Sequence, residues 1–131
     1  MENTGKKILI IDDAEDLRDT MSEILEIKGY NAITANNGIE GVDMATEEHP
    51  DLILLDLRMP DIDGFEVIRR IRNHDDEWGK TAKILILTAS GESDEIPTDI
   101  GFSPADFLLK TEYGIDNIAG RIEEKLNEET D

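Results

Sequence analysis

Leu52-Ile53-Leu54-Leu55-Asp56-Leu57-Arg58-Met59-Pro60-Asp61-Ile62-Asp63-Gly64 is the stretch on which the fold turns. Four apolar residues ending in a carboxylate read as a buried parallel strand whose last residue stands at the sheet edge. The pattern recurs in Ile8-Leu9-Ile10-Ile11 before Asp12 and Asp13, in Ile84-Leu85-Ile86-Leu87 before Thr88, and in Phe107-Leu108-Leu109 before Lys110. Ligands of open α/β sheets bind at the carboxyl edge. Three acids, a hydroxyl and an amine gathered there are the parts needed to hold a divalent cation and a phosphoryl group.

Helical spacing fills the intervals between these strands. Leu17, Met21 and Leu25 share one face, with Gly29 as the stop signal. A short strand over about Asn31 to Ala35 and a turn at Asn36-Asn37-Gly38 lead to a helix carrying Ile39, Val42 and Ala45, which ends near His49-Pro50. After the Asp56 strand and its loop comes a helix with Phe65, Ile68 and Ile71. His74 to Thr81 reads as a polar loop containing Trp78. Ile115, Ile118, Ile122 and Leu126 form the stripe of a final helix. Between Ser90 and Ser103 the apolar pattern is sparse, and Pro97 would break a helix. A short or irregular fourth helix is expected there. Right-handed crossovers cover both faces of the sheet. The expected architecture is a five-stranded parallel sheet of order 2-1-3-4-5 with helices on both sides. Residues 1–6 form a short tail, 7–126 the domain, and 127–131 a frayed end.

The chain has 131 residues, which suits one domain, and no cysteine, which excludes a disulfide framework, a thiolate nucleophile or a thiolate metal site. No apolar stretch is long enough for a membrane span or a signal peptide, so a cytoplasmic protein is expected. The net charge of -19 argues against direct binding of nucleic acid or an anionic membrane. It fits a heavily solvated surface, as in a salty cytoplasm, or an acidic docking face for a basic partner; charge alone does not choose. From Ser90 onward acids far outnumber Lys110, Arg121 and Lys125.

Crowded carboxylates repel unless a cation lies between them. Hard oxygen donors suit Mg2+ or Mn2+, held by a few carboxylates, water and substrate phosphate. Asp12 and Asp13 alone could be helix-start acids; the other strand-end residues turn them into candidate metal ligands. Asp56 is the candidate nucleophile, because a carboxylate can attack phosphorus to form an aspartyl phosphate. Lys110 would set a point charge against the phosphoryl oxygens, and Thr88 would donate a hydroxyl to them.

With these residues in order, the chain resembles the receiver domain of two-component response regulators. The resemblance covers about Lys7 to Leu126 and is carried by Asp12-Asp13, by Asp56 within Leu-Leu-Asp-Leu-Arg-Met-Pro-Asp-Ile-Asp-Gly, by Thr88-Ala89 and by Lys110. It implies the flavodoxin-like, CheY-like doubly wound fold. It also implies that Asp56 accepts a phosphoryl group from a histidine kinase or a histidine phosphotransfer protein. Asp13 and Asp56 would ligate the metal directly, Asp12 through water, and the backbone carbonyl of Arg58 would complete the set. Thr88 would be the switching hydroxyl and Phe107 the switch aromatic. The implied protein is not an enzyme on outside substrates; it catalyses only its own phosphotransfer and dephosphorylation, with Arg58 and Ser90 flanking the site. It signals by contact with a downstream protein, as a monomer or a phosphorylation-dependent dimer.

Two positions depart from the family pattern. Thr111 follows Lys110 where a proline is usual, and Pro97 interrupts the expected fourth helix. Met1 and the charged Glu128-Glu129-Thr130-Asp131 end favour a complete, stand-alone chain. The chief rival is a Mg2+-dependent phosphohydrolase with an Asp nucleophile. Such enzymes commonly carry an acid two residues on, where this chain has Arg58, and a cap domain for which there is no length. A phosphate-independent binding module would not need all five site residues. A flavodoxin-like cofactor binder would need a Ser/Thr/Gly-rich phosphate loop after the first strand, and none is present.

Overall fold

The computed structural model describes residues 5–74, 77–88, 107–109 and 114–128. Strands β1 (Lys7–Ile11), β2 (Asn31–Ala35), β3 (Leu52–Asp56) and β4 (Ile84–Thr88) alternate with helices α1 (Glu15–Ile27), α2 (Gly38–Glu48), α3 (Gly64–Arg72) and a short α4 (Glu77–Thr81). The three-residue β5 (Phe107–Leu109) and helix α5 (Ile115–Asn127) follow. The sheet order is β2-β1-β3-β4-β5, and each pair is parallel. This is the flavodoxin/CheY-like arrangement.

Period two along each strand divides the core into two layers. Ile8, Ile10, Leu52, Leu54, Leu85 and Leu87 pack with Met21 and Leu25 of α1 and Ile118 and Ile122 of α5. Leu9, Ile11, Ile53, Leu55, Ile84 and Ile86 pack with Ala45 of α2 and Val67, Ile68 and Ile71 of α3. Every residue of β3 and β4 is buried. A strand covered on both faces cannot alternate, hence the unbroken apolar runs in the sequence.

Two expectations change. Ile39 does not face the core: it is 48% exposed, and α2 buries Gly38, Gly41 and Ala45 instead. A Cβ at Gly41 would stand 2.6–2.9 Å from the Ile11 side chain, so α2 lies too close to β1 for anything larger. The stretch expected as a polar loop contains α4, held by Trp78, whose Nε1 donates to Pro50 O at 3.2 Å, and by Arg72, which donates to Gly79 O at 2.9 Å. The final helix ends at Asn127, the first residue of the expected frayed end. The helix expected between β4 and β5, with Pro97, lies outside the described residues. So does Thr111.

Helix starts and stops follow capping chemistry. Asn37 accepts from Glu40 N and Asp63 from Glu66 N, each at 2.9 Å. Gly29 ends the α1 connection at φ 95°, a left-handed conformation that favours glycine. Among the described residues, no helix is long and apolar enough to cross a membrane.

Candidate functional site

The strand register assembles the site. Ile11 pairs with Leu55, which carries Asp12 alongside Asp56 at the ends of β1 and β3. Asp56 in turn pairs with Leu87, leaving Thr88 one step further along β4. Carboxylate oxygens of Asp12, Asp13 and Asp56 all lie within 4.8 Å of one another. Asp12 is 2%, Asp56 7% and Thr88 3% exposed, whereas Asp13 opens to solvent. The site is therefore a shallow rim: two acids and a hydroxyl set into the sheet, and one acid at the mouth.

Local structure holds each acid in place. Asp12 Oδ1 accepts from Ala14 N at 2.9 Å, which turns the chain from β1 into α1. Arg18 Nη1 donates to the Asp12 carbonyl at 2.8 Å, tying the first turn of α1 to the rim. Beyond Asp56 the chain enters a loop through Leu57, whose N–H donates to Leu87 O at 3.2 Å. Gly64 N then donates to Leu57 O at 2.8 Å. A Cβ at Gly64 would stand 2.9 Å from Asp56 O and 3.0 Å from Leu57 Cα, so glycine lets α3 start directly against the end of β3. Arg58 sits exposed in this loop, two residues after Asp56.

The donor set fits a divalent cation. Three carboxylates this close suit a hard ion such as Mg2+, which takes few protein oxygens and keeps several waters. They do not suit a soft thiophilic metal, and the chain has no cysteine. Of the residues expected at the site, Asp12, Asp13, Asp56 and Thr88 meet at the rim, with Arg58 on the adjoining loop. Lys110, Ser90 and the side chain of Phe107 lie outside the described residues.

One residue of the loop had no local signal in the sequence. The Asp61 carboxylate accepts from Gly38 N at 3.0 Å and from Ile39 N at 2.8 Å, across 23 and 22 residues. Burial pushes its carboxyl up, but N–H groups of Ile39, Gly38, Ile62 and Asp61 itself outweigh this and hold it below the ordinary aspartate value.

The sequence profile of the response regulator receiver domain matches residues 8–123. The chain is 38% identical over 122 residues to sporulation initiation phosphotransferase F of Bacillus subtilis, covering 93% of this chain and 94% of that protein. It is 40% identical over 118 residues to the DNA-binding dual master transcriptional regulator RpaA of Synechocystis sp., covering 88% of this chain but only 47% of the relative. Among solved structures, the response regulator TrrA of Thermotoga maritima, in complex with Mg2+ and BeF, matches with a TM-score of 0.77 at 30% identity, covering 92% of this chain and 98% of that one. These matches do not favour the phosphohydrolase reading.

Proposed function

The chain belongs to the response regulator receiver domain family, matched from residue 8 to 123, and from that premise we propose that Asp56 accepts a phosphoryl group from a partner's phosphohistidine. The observation that carries this is the acid cluster: a nearly buried Asp56 at the end of a central strand, its carboxylate within 4.8 Å of those of Asp12 and Asp13. Like charges held together at a rim are stable in company with a cation.

Asp12, Asp13 and Asp56, with the Arg58 carbonyl, would hold Mg2+ or Mn2+. When bound, that ion supplies positive charge against the phosphoryl oxygens. The protein's own groups do the rest. Asp56 attacks phosphorus in line; the N–P bond to the donor imidazole breaks as the O–P bond forms. Thr88 Oγ1 donates to a phosphoryl oxygen, and Lys110 sets its ammonium against the others. Attack of an in-line water on phosphorus breaks the Asp56 acyl phosphate, releases inorganic phosphate and restores the carboxylate, which ends the signal; Arg58 and Ser90 would tune that rate.

Thr88 and Phe107 carry the switch: bonding of Thr88 to the phosphoryl group biases two pre-existing conformations, and Phe107 follows. A shift from mostly inactive to mostly active needs roughly 5 kcal/mol of differential stabilisation. The donor is a histidine kinase or a histidine phosphotransfer protein. The chain is proposed to act as a stand-alone receiver in the cytoplasm, by contact with a downstream protein; the match along 94% of a sporulation phosphotransferase supports the first of these. The chain is a signalling protein, with no catalysis beyond its own phosphorylation and dephosphorylation.

Intact-mass labelling with acetyl phosphate and Mg2+ tests this reading. Wild type should gain one phosphoryl group, and Asp56→Asn none. Equal labelling of both would refute it.

A further inference from the structure

We propose that Asp61 is a positioning residue of the phosphoacceptor site: its carboxylate ties the β3–α3 loop to the start of α2 and so fixes where the Arg58 carbonyl stands relative to Asp56. The inference rests on the roles given to Asp56 and Arg58 above.

The first N–H groups of a helix have no partner within it. They are usually satisfied from the residue just before the helix. In α2 that residue, Asn37, serves only Glu40 N, at 2.9 Å. The Gly38 and Ile39 N–H groups go instead to the two oxygens of Asp61, at 3.0 and 2.8 Å. A charged acceptor at the positive end of a helix makes a strong, directional tether.

A second contact shows how closely the two segments meet. A Cβ at Gly38 would collide with Ile62 Cγ1 and stand 3.0 Å from the Ile62 carbonyl oxygen. Helix and loop touch backbone to side chain, with no room between them. The loop is pinned at its base by Leu57 N to Leu87 O and Gly64 N to Leu57 O. Its outer part, Arg58 to Asp61, includes Pro60, which has no N–H to give. Arg58, Pro60 and Asp61 are all exposed, and between them only Met59 is partly buried against the core. The Asp61 tether adds a directional restraint at the far end of this segment, beyond what the packing of Met59 gives.

Arg58 lies between the two fixed points, two residues after Asp56 and three before Asp61. Mg2+ demands near-octahedral oxygen geometry. A carbonyl free to drift by a fraction of an ångström is therefore a poorer ligand, and loss of the tether should read out as loss of metal affinity.

The test is calorimetric titration of Mg2+ alone into metal-free wild type, Asp61→Ala, Asp61→Asn and Asp51→Ala. Asp51 is the control: an exposed carboxylate that accepts from Lys7 N at 2.7 Å at the opposite end of the sheet. Partners of metal ligands typically tune affinity by about 10–100-fold, and Asp61 acts one step further out, so about three- to tenfold weakening is expected for Asp61→Ala. Asp61→Asn keeps one acceptor oxygen and should fall between. Asp51→Ala should bind as wild type does. In the metal-free protein, the amides of Gly38 and Ile39 should exchange faster in Asp61→Ala than in wild type. An unchanged Kd in Asp61→Ala, or an equal loss in Asp51→Ala, would overturn the tether. If wild type takes a phosphoryl group on Asp56 and Asp61→Ala keeps its Kd, only the tether falls; if wild type takes none, the phosphoacceptor reading falls with it.

Discussion

At the amino ends of the strands, charged groups meet attractive partners. Lys7 Nζ stands 2.7 Å from Glu48, and the Lys7 backbone N–H donates to Asp51 at 2.7 Å. Lys83 Nζ donates to the carbonyls of Leu126 and Glu128 at 2.9 and 2.7 Å, closing the last turn of α5. Trp78 stacks on His49 with ring centroids 4.7 Å apart. At the carboxyl ends of the same strands, Asp12, Asp13 and Asp56 crowd three carboxylates into one 4.8 Å cluster. One end gathers contacts that stabilise the native state. The other concentrates like charge, which costs stability unless a cation or a phosphoryl-transfer role accounts for it. The contrast separates an end held by attraction from an end that concentrates like charge.

The largest test of that contrast is Asp56→Asn. It should abolish phosphoryl uptake while stabilising the metal-free protein by about 1 kcal/mol, since one of three repelling charges is gone. For a domain of this size that is a rise in Tm of about 3–5 °C, read by thermal melting without Mg2+. A fall in Tm would mean that Asp56 is held by attraction, and the contrast between the two ends would break. Next in size is the effect of the ion itself. At ten times its Kd, Mg2+ should stabilise wild type by about 1.4 kcal/mol. Asp13→Ala should lose most of this gain, because it removes an oxygen ligand at the mouth of the rim. Lys83→Met should keep all of it.

Much of the rim was legible because burial on both faces forces apolar runs, so a polar residue ending such a run stands out. Asp12, Asp56 and Thr88 were visible for that reason, and the structure buries all three at one edge. The buried face of α2 was not legible. Periodicity counts Ile39 as apolar and overlooks Gly38 and Gly41, yet the close approach of α2 to Ile11 and Ile62 selects the glycines. Helix α4 spans five residues, too few for a period to show, and is held by contacts from Pro50 and Arg72 that sequence spacing does not reveal. The Asp61 tether spans 23 residues, and nothing near Asp61 marks it as a partner of α2.

A smaller effect belongs to the base. Lys83→Met removes an ammonium from two carbonyls at the end of α5 and should cost about 1 kcal/mol of stability, with labelling of Asp56 unchanged. Denaturant melts paired with the mass assay would show this; loss of labelling would mean that the base and the rim are coupled.

The smallest effect compares one acid from each end. The Glu128 carboxyl, like that of Asp61, is held below its ordinary value: burial pushes it up, but hydrogen bonds and charge from Lys125 and then Arg121 outweigh this. A carboxyl whose pKa is depressed by folding stabilises the native state above its unfolded value, about 4 for these side chains, and loses that contribution as pH falls through the folded value. Both contributions should therefore be present at neutral pH and fade below about pH 4, each amounting to a few tenths of a kcal/mol. Salt separates them. The Glu128 partners are side-chain cations at 3.3 and 3.4 Å, which 1 M salt screens. The Asp61 partners are backbone N–H groups at hydrogen-bond distance, whose directional bonds persist. Stability of Glu128→Ala and Asp61→Ala relative to wild type, measured at neutral pH in low and high salt, should converge on wild type only for Glu128. If the Asp61 deficit also vanished in salt, its hold on α2 would be long-range charge rather than bonding.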